Sequence, residues 1–114
     1  MSDDKKSIAG RLRLAREQAG LSQGQVALKL GMHRPTVSEI EAGRRSVSSE
    51  EVGKFASLYK VSLTWLLRPG GENADPKRDK AELAARALMK LKEKDLDLVL
   101  DLLGSLRNGG RDRE

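Results

Sequence analysis

The stretch that decides the fold is Leu21 to Gly43, LSQGQVALKLGMHRPTVSEIEAG. Ser22 stands three residues before Gln25, the spacing of a capping box, and Leu21 reaches Val26 as a hydrophobic staple. Val26, Ala27 and Leu30 then form one buried stripe, and Gly31 stops the helix. Met32 and Val37 repeat the staple around a cap at His33. Pro35 falls in the first turn that follows, where a missing N–H costs little. Val37 and Ile40 face inward, Thr36, Ser38 and Glu39 do not, and Gly43 ends the second helix. The stretch is two short helices joined by a tight turn at Gly31.

Working outward, the same punctuation recurs. Upstream, Ser7 is the expected N-cap of a helix whose apolar face is Ile8, Leu12, Ala15 and Ala19, after a polar lead-in. Arg11 and Arg13 lie off that face, Arg16 flanks it, and Gly20 ends the helix. Downstream, Arg44, Arg45 and Ser46 form a basic loop. Val47, Ser48, Glu51 and Val52 then give staple and capping box again. The fourth helix runs to about Tyr59, burying Val52, Phe55, Ala56 and Tyr59. Ser62 opens a fifth, whose Leu63, Trp65, Leu66 and Leu67 close a bundle that Pro69, Gly70 and Gly71 terminate.

PGGENAD, from Pro69 to Asp75, has a linker's composition, and Asp75-Pro76 reads as a cap followed by proline at the first helical position. Leu83, Ala84, Ala87, Leu88 and Leu91 fit one face of a sixth helix, and LKEKD is a break. Leu96, Val99, Leu103 and Leu106 recur at spacings of 3, 4 and 3, a heptad-like face widened by Leu98, Leu100 and Leu102. Two short amphipathic helices bury their apolar faces poorly against each other, so these leucines need another surface. The glycine linker and the heptad spacing favour a second copy of the chain over packing back on the bundle. The expected organisation is an all-α fold. A bundle spans 1–69, a linker 70–76, dimerisation helices 77–107 and a flexible tail 108–114.

Composition narrows the function. The 114 residues carry a net charge of +5, and the whole excess lies in the first part. Residues 1–71 hold 12 Lys/Arg against 7 Asp/Glu, whereas 72–114 hold 10 of each. A basic unit followed by a neutral one suggests that the first meets a polyanion. There is no cysteine and one histidine, so no disulfide framework, thiolate metal site or metal-bound cofactor is expected. No apolar run approaches a membrane span, and MSDDKKS has no signal-peptide core behind it, so a cytoplasmic, nucleoid-associated protein is expected. Catalysis is not expected: glycine-rich phosphate loops and nucleophile–base constellations are missing.

With Arg16, Gln23, Gly31, Glu41 and Gly43 in view, the first 68 residues resemble the XRE family, the Cro and cI-type helix-turn-helix regulators. The resemblance rests on a combination: R-x-x-x-G-L-S-Q, the turn glycine, S-E-I-E-x-G, and Y-x-V-S-x-x-W-L-L at the end. It implies a five-helix, lambda repressor-like domain whose third helix enters the DNA major groove. Base-facing positions would be His33, Arg34, Pro35, Ser38 and Glu39. Gln23 corresponds to a glutamine that bonds a phosphate and props the recognition helix, and Arg16 and Glu41 to an interior ion pair. His33, Pro35 and Glu39 depart from the usual letters, so no base code carries over.

Chemistry ranks these candidates. Arg34 can donate two hydrogen bonds to guanine O6 and N7. Glu39 can accept from cytosine N4 but repels phosphates, Ser38 is permissive, and Pro35 offers apolar contact. Thr36 suits a phosphate or a thymine methyl. Arg44, Arg45 and Ser46 stand where relatives clamp the backbone, and Lys5, Lys6 and Arg11 are lesser candidates for its flank. His33 is a cap and groove-lining residue, its imidazole able to accept from a backbone N–H. Tyr59 and Trp65 read as core, since single-strand binders need several exposed aromatics.

The expected function is a sequence-specific double-stranded DNA-binding regulator, read as a repressor on an inverted-repeat operator. It would act as a homodimer through Leu83, Leu88, Leu91, Leu96, Val99, Leu103 and Leu106. The alternative is an antitoxin or phage-type immunity regulator whose C-terminal helices bind a toxin or protease.

Overall fold

The computed structural model describes residues 2–68 and 75–112. Among them there are seven helices and no strand, an all-α architecture. In order they are α1 (Ser2–Gln18), α2 (Gln23–Leu30), α3 (Arg34–Glu41), α4 (Ser49–Tyr59), α5 (Leu63–Leu67), α6 (Pro76–Met89) and α7 (Glu93–Asp112). The chain divides into two compact units, Met1–Lys80 and Ala81–Glu114. Residues 70–74 of the expected linker, and Pro69 with the glycines expected to terminate α5, lie outside the described residues.

The helix boundaries follow the caps. Ser22 Oγ accepts from the Gln25 N–H at 3.1 Å, and Gln25 Oε1 accepts from the Ser22 N–H at 2.8 Å. Both halves of this capping box fix the entry to α2. Gly31 closes α2 with φ 67°, where a Cβ would be strained, and Met32 N–H returns to the Ala27 carbonyl at 2.8 Å. Ser48 and Glu51 repeat the box at α4, at 3.1 and 2.9 Å, and Ser62 Oγ accepts from Trp65 N–H at α5. Asp75 caps α6 by accepting from Lys77 N–H at 3.0 Å, beside Pro76.

Three expectations about helix ends change. α1 begins at Ser2, so Ser7 lies inside the helix rather than at its cap. Once nucleated, a helix extends at little cost through residues of ordinary propensity. His33 is the N-cap residue of α3, but its imidazole makes no capping hydrogen bond. Its carbonyl carries the turn instead, accepting from Thr36 N–H at 2.9 Å. α7 continues through Gly109 and Gly110 to Asp112.

In the first unit α1 packs against α3, α4 and α5, α2 against α3, and α4 against α5. The core is Ala9, Leu12, Ala15, Val26, Ala27, Val37, Ile40, Val52, Phe55, Ala56, Tyr59, Trp65 and Leu66. Each fully buried large side chain among these, Leu12 and Ile40 included, contributes about 1.5–3 kcal/mol relative to exposure. Phe55 and Tyr59 stack at 5.8 Å between ring centroids. Ala19 is exposed, because α1 has already ended, and Leu63 and Leu67 are about half exposed. A five-residue helix has room to bury one side, and Trp65 and Leu66 occupy it.

The larger correction is Arg11. Expected off the apolar face and within reach of a ligand, it is 2% exposed. Its Nε donates to Asp79 Oδ2 at 3.1 Å, and Nη1 donates to the carbonyls of Leu66, at 3.3 Å, and Arg68. A buried guanidinium needs this many acceptors to offset its desolvation. Arg11 therefore ties α1, the end of α5 and the first turn of α6 together.

In the second unit, Leu83 is buried, Leu88, Leu96 and Val99 are half-buried, and Leu91 is slightly more open. Leu98, Leu100, Leu102, Leu103 and Leu106 are each at least half exposed. A turn over residues 90–92 separates α6 from α7, where a break was expected.

Candidate nucleic-acid interface

α3 is a two-sided helix. Val37 and Ile40 are buried beneath it, and His33, Arg34 and Pro35 are exposed at its start. Thr36, Ser38 and Glu39 are partly exposed along its length. The loop that follows brings Arg44, Arg45 and Ser46 to the surface beside it, after a left-handed Gly43 with φ 75°. Arg44 N–H returns to the Glu39 carbonyl at 3.0 Å, so the basic loop is folded back on the helix end.

What holds α3 in place is a polar network at its C-terminal end. Arg16 on α1 donates from Nε to Glu41 Oε2 at 2.8 Å and from Nη2 to Glu41 Oε1 at 3.0 Å. This is the bidentate fork that makes arginine–carboxylate pairs directional. Arg16 Nη1 also donates to the Leu21 carbonyl at 2.9 Å, fixing the α1–α2 loop. Gln23, the first residue of α2, donates from Nε2 to Glu41 Oε1 at 3.1 Å. Glu41 thus accepts two hydrogen bonds from α1 and one from α2, and its side chain is only 4% exposed.

The charges on the outer face are distributed unevenly. Arg44 forks onto Glu39, Nε to Oε2 at 2.6 Å and Nη2 to Oε1 at 3.3 Å. This hydrogen bond holds the Glu39 carboxyl below its ordinary range. Arg45 forks onto Glu51 at 3.0 and 3.1 Å and donates to the Ser46 carbonyl. Glu51 is pushed down to about 2 by Arg45 first, then by the Ser48 backbone N–H it accepts. Both loop guanidiniums therefore already grip oxyanions in the geometry that a phosphate would offer. Arg34, by contrast, has no ion-pair or hydrogen-bond partner among the described residues.

Of the candidate residues, His33, Arg34, Pro35, Ser38 and Glu39 are exposed or partly exposed along α3, and Arg44, Arg45 and Ser46 are exposed in the loop that Arg44 ties back to Glu39. Thr36 lies partly exposed on the same helix, and Gln23 turns instead toward Glu41. The side chains of Lys5 and Lys6 lie outside the described residues, and Arg11 is buried elsewhere. Glu51 was missed as a site neighbour; its signal was the capping box, which aims its carboxylate back toward the loop. The described residues contain no cluster of three metal-ligating side chains and no helix long and apolar enough to cross a membrane.

The helix-turn-helix family profile matches residues 12–66, the span from the core of α1 to α5. The HTH-type transcriptional regulator ImmR of Bacillus subtilis is 29% identical over 99 residues, covering 83% of this chain and 76% of ImmR. The HTH-type transcriptional regulatory protein PAE1627 of Pyrobaculum aerophilum is 35% identical over 83 residues. That match covers 72% of this chain but 32% of the Pyrobaculum protein, so the chain spans about a third of that relative's length. The crystal structure of a hypothetical transcription factor, NHTF, from Neisseria superposes with a TM-score of 0.55 at 31% identity. It covers 59% of this chain and 77% of that one. The chain belongs to the XRE-type helix-turn-helix family.

Proposed function

We propose that the protein is a sequence-specific double-stranded DNA-binding transcriptional regulator, acting as a repressor by occupying promoter DNA. The observation that carries this reading is the outer edge of α3: exposed His33, Arg34 and Pro35 on a helix anchored from behind through Glu41, with two arginines folded beside it. Rigid presentation of a few side chains is what base readout requires, and membership of a family with regulator relatives supports it.

In this reading α3 lies in the major groove. Arg34 takes the guanine edge, Glu39 accepts from a base amino group, and His33, Pro35 and Ser38 line the groove. Arg44, Arg45, Ser46, Thr36 and Gln23 contact the phosphate backbone. Gln23 would do so while still bonded to Glu41, which would couple backbone contact to the seating of α3. The C-terminal helices, residues 77–107, join two copies, so the operator is an inverted repeat with half-sites about one helical turn apart. The protein would work on nucleoid DNA in the cytoplasm, without cofactor or catalysis.

The exposed leucines of α7 also suit a second reading, an antitoxin or immunity regulator whose C-terminal helices bind a toxin or protease. Selection of bound duplexes from a random DNA pool tests the first reading. An enriched palindrome supports it, and loss of preference at one position per half-site in Arg34→Ala supports the assigned reader. No enrichment at any sequence would overturn it. A monomeric full-length chain that binds a single half-site would instead favour the second reading.

A further inference from the structure

α7 carries a pattern that the homodimer reading does not by itself explain. Leu96, Val99, Leu103 and Leu106 form its seam; Leu96 and Val99 are half-buried, and Leu103 and Leu106 are 50% and 63% exposed. Glu93, Leu100 and Arg107 are spaced seven apart, so they fall on one line along one edge of that seam. All three are exposed, and the line is about 21 Å long at 1.5 Å per residue. Asp95 and Leu102 mark the other edge. Lys94, Asp97 and Asp101 fall on the side away from the seam. The edge charges are therefore acidic at the start of the helix, basic toward its end, and separated by leucine.

We propose that α7 is the docking surface for a second copy of this chain, lying antiparallel across a two-fold axis near Leu100. This rests on the homodimer reading and adds its direction and register. In that arrangement Leu96 packs on the partner's Leu106 and Val99 on the partner's Leu103. Glu93 lies beside the partner's Arg107, and the two-fold repeats the pair at the other end. The helix dipoles oppose, which is also favourable. A parallel, in-register pair would instead set Asp95 against the partner's Leu100 and Leu102 against the partner's Arg107, with no opposite charges in reach. The pattern is complementary to itself under a two-fold, and this singles out a second copy as the occupant.

The chain has no cysteine, so single cysteines report the geometry directly. Full-length Glu93→Cys, Leu100→Cys and Arg107→Cys are oxidised separately and as a co-expressed Glu93→Cys and Arg107→Cys mixture, then run without reductant. Leu100→Cys should cross-link with itself, the mixture should cross-link, and Glu93→Cys or Arg107→Cys alone should not. Self-cross-linking of Glu93→Cys and Arg107→Cys would overturn the antiparallel register. A monomeric wild-type chain in sedimentation would overturn the docking itself. As a second measurement, Arg107→Glu should weaken dimerisation about tenfold and Glu93→Arg in the same chain should restore it; no restoration counts against the pairing. Selection of palindromic DNA by the wild type reports separately on the DNA-binding reading, which survives if only the register fails.

Discussion

Arg16 on α1 and Glu41 at the end of α3 form a two-pronged ion pair, 2.8 and 3.0 Å, whose carboxylate also accepts from Gln23 on α2. The Arg16 and Glu41 side chains are 13% and 4% exposed. Such a pair stabilises little against a well-packed apolar replacement, but removing one member strands the other. Arg16→Ala should therefore cost about 3–5 kcal/mol in urea unfolding. The Arg16→Met, Glu41→Leu double variant should lose much less. A loss in Arg16→Ala no larger than that of an exposed arginine such as Arg13 would contradict this account.

The two loop arginines and Arg34 should respond differently to substitution. Arg34→Ala should cost about 1–3 kcal/mol on the selected operator and almost nothing on random duplex. Arg44→Ala with Arg45→Ala should weaken both alike and lower the salt slope of log K by about 2, one counterion per lost contact. Fluorescence anisotropy titrations across a salt series separate these outcomes. An unchanged slope in the double variant would show that Glu39 and Glu51 keep both arginines in the complex.

Most of the DNA-facing half was legible because its signals are local. Ser22 with Gln25, and Ser48 with Glu51, are caps three residues apart, and their hydrogen bonds follow from backbone geometry alone. Arg16 and Glu41 were legible only through family resemblance, since a separation of 25 residues leaves no periodic trace. Arg11 is not legible in this way because its acceptors lie 55 to 68 residues away, and spacing on α1 alone places it off the core face. The pairing of Arg44 with Glu39 was equally hidden, although the two lie five residues apart. It needs the chain to turn back at Gly43.

Glu51 gives the α4 cap a pH dependence with a defined sign. Its carboxyl falls from 4.5 to about 2 on folding, through Arg45 and the Ser48 N–H. A depressed carboxylate stabilises the fold fully above its unfolded value and loses that contribution as pH falls toward 2. Stability should therefore drop between about pH 4.5 and 2, and Glu51→Gln should flatten that part of the profile. Ser48→Ala, which removes the other half of the cap, should cost about 1 kcal/mol at neutral pH. Thermal melts from pH 2 to 7 measure both, and an Glu51→Gln profile parallel to wild type would refute the assignment.

Asp79 has the most to reveal about where the first folding unit ends. It belongs by position to the segment after the linker, yet its carboxylate meets Arg11 at 3.1 Å and lies 3.8 Å from Arg68. Arg11 keeps two carbonyl acceptors without it, but carbonyls leave the buried positive charge uncompensated. Asp79→Ala should therefore destabilise the first unit by about 3 kcal/mol, whereas Asp75→Ala should cost about 1 kcal/mol as a lost cap. A chain ending at residue 68 should lose less than Asp79→Ala, because the Arg68 carbonyl that accepts from Arg11 then becomes a C-terminal carboxylate and supplies the missing negative charge. Urea unfolding of the three variants decides it: an Asp79→Ala loss equal to that of Asp75→Ala would mean that Arg11 is satisfied by the Leu66 and Arg68 carbonyls alone.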